Sequence, residues 1–112
     1  MHMEATKERT PGTTLTAEQE RVFRTMAARY VWWKEPDKAL KFPQQIAAQV
    51  MNLGEWDDVQ IFANAVGDDY LRSVLKNAEA GQFNERSWSY WHYRLHLASV
   101  GTVPPLPERK LA

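Results

Sequence analysis

All five glycines stand singly, and four of them lie at positions 54, 67, 81 and 101. Each closes a stretch in which apolar residues recur every three or four positions, the spacing that places them on one helical face. A glycine after such a stretch marks a helix end, because it takes positive φ without steric cost. No stretch alternates apolar and polar residues with β-branched enrichment. The expected fold is therefore all-α: a small bundle of about five helices, with a flexible N-terminal arm and a Pro-rich C-terminal tail.

The boundaries follow from local chemistry. Thr16 and Gln19 have the spacing of a capping box, and Glu18 and Glu20 suit the positive end of the first helix. Val22, Phe23, Met26, Ala27, Tyr30 and Trp33 continue its apolar face, so the helix is expected from Ala17 to Trp33, with Pro36 blocking continuation. Residues 35–41 read as a polar connection. Pro43 suits the first position of a second helix that carries Ile46, Ala47, Val50, Met51 and Leu53 to Gly54. A third is expected over Trp56–Val66 and a fourth over Asp69–Ala80. A fifth is capped by Asn84 and ends by Gly101. Pro104, Pro105 and Pro107 favour an extended polyproline conformation beyond it.

A chain of 112 residues fits one domain with one core. Residues 1–15 read as the arm, 16–101 as the helical domain and 102–112 as the tail. Cysteine is absent, so disulfides and thiolate metal sites are excluded, which suits a reducing cytoplasm. The first fourteen residues are polar and carry no apolar leader segment. No apolar run is long enough to span a bilayer, so no membrane partner is expected.

Charge is balanced overall but unevenly placed. Residues 35–83 carry eight Asp/Glu against four Lys/Arg, and both flanks are mildly basic. Without a dense basic stripe, a stand-alone nucleic-acid binder is disfavoured.

Catalytic signatures are sparse. His92 and His96 stand four apart on an expected helix and could share a metal, but no third ligand is evident and Tyr93 occupies the place of a hydrolase glutamate. A histidine pair with a structural role fits the residues better. Asp57-Asp58 and Asp68-Asp69 open helices, where carboxylates offset the dipole, and this outweighs metal binding. Nucleophile elbows and phosphate loops are absent. Neither enzyme activity nor a cofactor is expected.

The aromatic residues are more informative. Trp32 and Trp33 are adjacent, so a helix would point them about 100° apart. The segment Trp88-Ser89-Tyr90-Trp91-His92-Tyr93 is aromatic around most of its circumference. One reading buries nearly all of these rings in the core; the other leaves a face of exposed anchors for a protein partner.

The stretch from Tyr30 to Trp91 also resembles a family of small bacterial helical proteins. The resemblance rests on Val31-Trp32-Trp33, Phe42 with Ile46 and Val50, Gly54 with Trp56-Asp57-Asp58-Val59, Phe62, Val66-Gly67, Leu71-Arg72, Arg86-Ser87-Trp88 and Tyr90-Trp91. The chain departs from the pattern at Trp33, where an acidic residue is expected, and in a longer 35–41 connection. Members are often encoded beside nucleotidyltransferase-type toxins of the AbiEii kind, so the resemblance implies an antitoxin that binds and neutralises such a toxin. On that reading Glu55, Trp56, Asp57, Asp58, Asp68, Asp69, Trp88 and Trp91 are the expected partner-binding residues. A DNA-binding regulator or another interaction adaptor is the alternative.

Overall fold

The computed structural model describes residues 15–108. The rest of the expected arm, residues 1–14, and the last four residues of the tail lie outside them. Among the described residues six helices follow one another: α1 (Ala17–Tyr30), α2 (Pro36–Ala39), α3 (Pro43–Leu53), α4 (Trp56–Val66), α5 (Asp68–Lys76) and α6 (Glu85–Arg94).

The capping chemistry is as expected. The Gln19 backbone N–H donates to Thr16 Oγ1 at 3.0 Å, and the Thr16 N–H donates to Gln19 Oε1 at 3.1 Å. Gln19 also spans to α4, donating to the Ala65 carbonyl at 3.1 Å. Asn84 caps α6 by accepting the Ser87 N–H at 2.8 Å. Gly67, with φ of +86°, ends α4 and begins α5 in a single residue. That backbone conformation is open essentially to glycine alone.

Four boundaries differ from expectation. First, α1 stops at Tyr30, because Val31 leaves helical geometry at φ −131° and turns into the core. Second, Pro36 does more than block α1: it occupies the first position of α2, a short helix inside the expected polar connection. Third and fourth, α5 and α6 end at Lys76 and Arg94, several residues before the glycines at 81 and 101 expected to close them. His96, beyond α6, has φ of +59°.

Helix α3 is central and touches every other helix. Ile46, Ala47, Ala48, Val50 and Met51 are all buried, as befits a helix that is apolar round most of its circumference. Phe23, Met26 and Ala27 of α1 join the core, with Phe62 of α4, Leu71 and Val74 of α5 and Trp91 of α6. Phe23 meets Phe62 and Tyr70 edge-to-face, with centroids 5.1 and 6.0 Å apart.

Among helix pairs, α6 packs only on α3. Polar bonds secure that seam. The buried Trp91 indole donates to the Met51 carbonyl at 2.8 Å, meeting one of the last-turn carbonyls that a helix leaves without an internal partner. Asn52 Oδ1 accepts from the Asn84 N–H at 3.0 Å and from the Ser87 hydroxyl. Side chains then reach the flanking helices: Arg94 donates to Gln60 of α4, and Arg72 of α5 donates to the Leu95 carbonyl.

Gly54 does not take the expected positive φ; its φ is −65°. Its role is close approach. A Cβ there would lie 2.5 Å from the Val50 carbonyl oxygen and 2.9 Å from Val59 Cγ2. Gly54→Ala is therefore expected to destabilise the protein by about 1–3 kcal/mol through overpacking, read as a lowered urea midpoint. An unchanged midpoint would show that α3 and α4 can separate at this corner without cost.

Candidate functional site

The early end of α1 leaves two tryptophans exposed. By turning Val31 inward, the chain sends Trp32 and Trp33 outward, 73% and 56% exposed. Their rings pack edge-to-face with centroids 5.6 Å apart. Beside them Lys34 Nζ lies 4.8 Å from the centre of the Phe42 ring, and Phe42 is exposed as well.

Helix α4 begins against the end of α1. The Tyr30 hydroxyl donates to Asp58 Oδ2 at 2.6 Å and accepts the Glu55 backbone N–H at 3.1 Å. Arg29 pairs with the other oxygen of Asp58. Gln49 of α3 donates to the Tyr30 carbonyl at 3.0 Å. Tyr30 thus joins α1, α3 and α4 at one corner. Leu53 and Trp56, on either side of the Gly54-Glu55 turn, are 56% and 66% exposed. Trp32, Trp33, Leu53 and Trp56 all belong to the segments that this corner ties together. The Trp32–Trp33 pair is the contact shown among these exposed rings, and adjoining exposed apolar groups mark interaction surfaces more often than isolated ones do.

The expected partner-binding residues divide sharply. Glu55, Trp56, Asp57, Asp68 and Asp69 are exposed. Asp69 is paired with Arg72 at 2.9 Å. Asp58 is buried and committed to Tyr30 and Arg29. Trp88 and Trp91 are also buried, at 6% and 1% exposure. Trp91 is a core residue of the α3–α6 seam. Trp88 lies between Phe83 and His92 and under residues of the tail, to which its indole donates. Neither is an available anchor. Trp32 and Trp33 are, although the apolar spacing assigned Trp33 to the inward face of α1.

The histidines do not form a pair. His92 is buried with Nδ1 2.7 Å from the Trp88 carbonyl, the contact of a ring N–H donating within its own helix. His96 lies beyond the end of α6 and is exposed. Among the described residues no three His, Cys, Asp or Glu side chains gather to hold a metal, and no helix is long and apolar enough to cross a membrane. A helix-turn-helix built around Gly67 would present Asp68 and Asp69 at the start of its second helix, where carboxylates repel phosphate.

A groove of about 860 Å³ is lined by Leu15, Phe42, Gln44, Tyr70 and Gln82 among others. Gln44 and Gln82 exchange two amide hydrogen bonds of 3.1 Å across it. Burial pushes the Tyr70 hydroxyl up to about 12, so it stays a neutral phenol.

The Tyr30 corner has a pH signature. The Tyr30 hydroxyl, and then the Arg29 guanidinium, hold the Asp58 carboxyl below its ordinary value against the opposing effect of desolvation. A carboxylate whose pKa is depressed by folding contributes stability above its unfolded value near 4, and this is lost as the pH falls through the folded value. Asp58→Asn is expected to be less stable than wild type at pH 7 and to lose less on acidification below about pH 4. Tyr30→Phe is expected to cost about 1–2 kcal/mol, from the loss of both hydroxyl bonds. Parallel acid-unfolding curves for wild type and Asp58→Asn would remove Asp58 from this account.

No protein-family model, curated protein or solved structure matches the chain.

Proposed function

We propose that the chain is an antitoxin-like interaction protein that binds and neutralises a nucleotidyltransferase-type toxin, using the corner where α1 ends and α4 begins. The observation that carries the binding role is the exposure of Trp32, Trp33 and Trp56 in a domain that has a complete core without them. Tryptophan is the residue most enriched among the few side chains that dominate interface energy. The choice of a toxin as partner rests on the sequence resemblance, and surface charge supports it. Glu55 and Asp57 flank Trp56 on an exposed helix start. Enzymes that bind a nucleoside triphosphate do so with basic residues and metal ions. Acidic side chains around an aromatic anchor complement such a cleft and speed encounter with it.

The test is co-expression of the tagged chain with its neighbouring gene, followed by identification of stoichiometric partners. A stable complex with a nucleotidyltransferase-like protein is the expected result. In that complex the Trp32→Ala/Trp33→Ala/Trp56→Ala triple variant is expected to weaken binding by at least about a hundredfold, from two or more hot-spot residues lost. Its helical circular dichroism should match wild type, since none of the three rings is buried. Charge reversal at Glu55 and Asp57 is expected to slow association and weaken its dependence on salt. Recovery of the chain alone would overturn the toxin reading, and full affinity of the triple variant would move the interface elsewhere.

A further inference from the structure

The tail is held as a peptide ligand is held. Residues 102–108 form no helix or strand. Within the described residues their backbone makes two hydrogen bonds: the Thr102 N–H closes a turn onto the Ser99 carbonyl at 2.9 Å, and the Pro104 carbonyl accepts the Trp88 indole N–H at 2.8 Å. Val103 and Leu106 pack on the core while Pro104 and Pro105 remain exposed. About 510 Å³ of open space borders the tail and α6, beside Glu85, Arg86 and Ser89.

The receiving surface is fixed without the tail. The Trp88 ring lies 5.6 Å from Phe83 and 4.5 Å from His92, centroid to centroid. The His92 ring bonds the Trp88 carbonyl. From this wall the indole N–H bonds the tail, at the Pro104 carbonyl. An indole donates and cannot accept, so the strand that suits it offers a carbonyl and has few N–H groups to leave unpaired. Val103-Pro104-Pro105-Leu106-Pro107 has that chemistry: three of its five residues are proline, and two aliphatic side chains stand on either side of the accepting carbonyl. Such segments enter aromatic grooves with little loss of entropy because they are already extended.

We propose that the Trp88 groove is a binding site for a proline-rich strand, occupied in cis by Val103–Pro107 and opened to a proline-rich segment of a partner protein when that strap swings away. The Ser99–Thr102 turn, closed by the Thr102 N–H on the Ser99 carbonyl at 2.9 Å and by the Ser99 N–H on Thr102 Oγ1 at 2.8 Å, is the fixed point from which the strap swings. One indole bond and three half-buried residues, Val103, Leu106 and Pro107, hold the strap, so a competing segment has little to displace. The tether keeps the strap at roughly millimolar effective concentration, and that sets the threshold a partner must exceed.

The test uses the full chain. Val103→Asp/Leu106→Asp removes both aliphatic contacts, and the peptide Thr-Val-Pro-Pro-Leu-Pro is titrated in while the Trp88 indole N–H is followed by NMR. The Trp91 indole, bonded to Met51, reports in the same spectrum that the core is intact. The expected result is that the variant shifts the Trp88 signal and that the peptide restores it saturably, with Kd below about 1 mM. Wild type should bind the peptide at least tenfold more weakly. Adding Trp88→Phe should abolish peptide binding by the released variant. If the double variant loses the Trp91 signal, Leu106→Ala loosens the strap without introducing charge and takes its place. An unshifted Trp88 signal on release, no saturable binding, or equal binding by wild type would each overturn the proposal.

Discussion

Everything in this domain is arranged around the burial of α3. An eleven-residue helix of mostly small and aliphatic residues cannot be covered by one neighbour, so the other five helices surround it. Its ends then need chemistry of their own. Pro43 at the start has no N–H to leave unpaired, and the carbonyl of Met51 near the end meets the Trp91 indole. Asn52, one residue on, fastens the start of α6. Gly54 lets the chain leave so tightly that α4 begins against the helix just finished. A bulkier residue at that exit would push α4 away from the Tyr30 hydroxyl, on which its first turn rests.

Local chemistry made much of this legible in advance. The ends of α4 follow from Trp56-Asp57-Asp58 at one side and Gly67 at the other. The Thr16–Gln19 box and the Asn84 cap are short-range devices whose partners lie within one turn, so sequence spacing contains them. The differences arise where a distant part of the chain decides. Spacing places Trp33 on the apolar face of α1, but burial of Val31 ends the helix first and rotates both tryptophans away. Pro36 reads as a stop because a proline cannot continue a helix, yet the same fixed φ begins the next one. Gly54 reads as a residue able to take positive φ, whereas the Val50 carbonyl oxygen and Val59 of the following helix are what exclude a side chain.

The expected site shows the same division. Glu55, Trp56, Asp57, Asp68 and Asp69 open helices and stand in solvent, as helix-start residues ordinarily do. Asp58 shares their sequence setting but lies opposite Arg29 and Tyr30, about thirty positions earlier, and no local pattern announces that meeting. Trp88 and Trp91 have the composition of interface anchors. One is claimed by a carbonyl of α3 and the other by a carbonyl of the tail, and each partner lies far away in sequence. Aromatic content alone thus does not separate the rings that build the core from those that stay exposed.

The five tryptophans fall into two optical populations. Trp88 and Trp91 sit in apolar surroundings, each with its indole bonded to a carbonyl, while Trp32, Trp33 and Trp56 face water. The exposed three should dominate the red side of the intrinsic emission, so unfolding changes the spectrum less than the tryptophan count suggests. A partner that covers the α1–α4 corner would instead shift emission to the blue while the helices remain intact. The exposed tryptophans would therefore report a partner at that corner, while the two buried ones report unfolding.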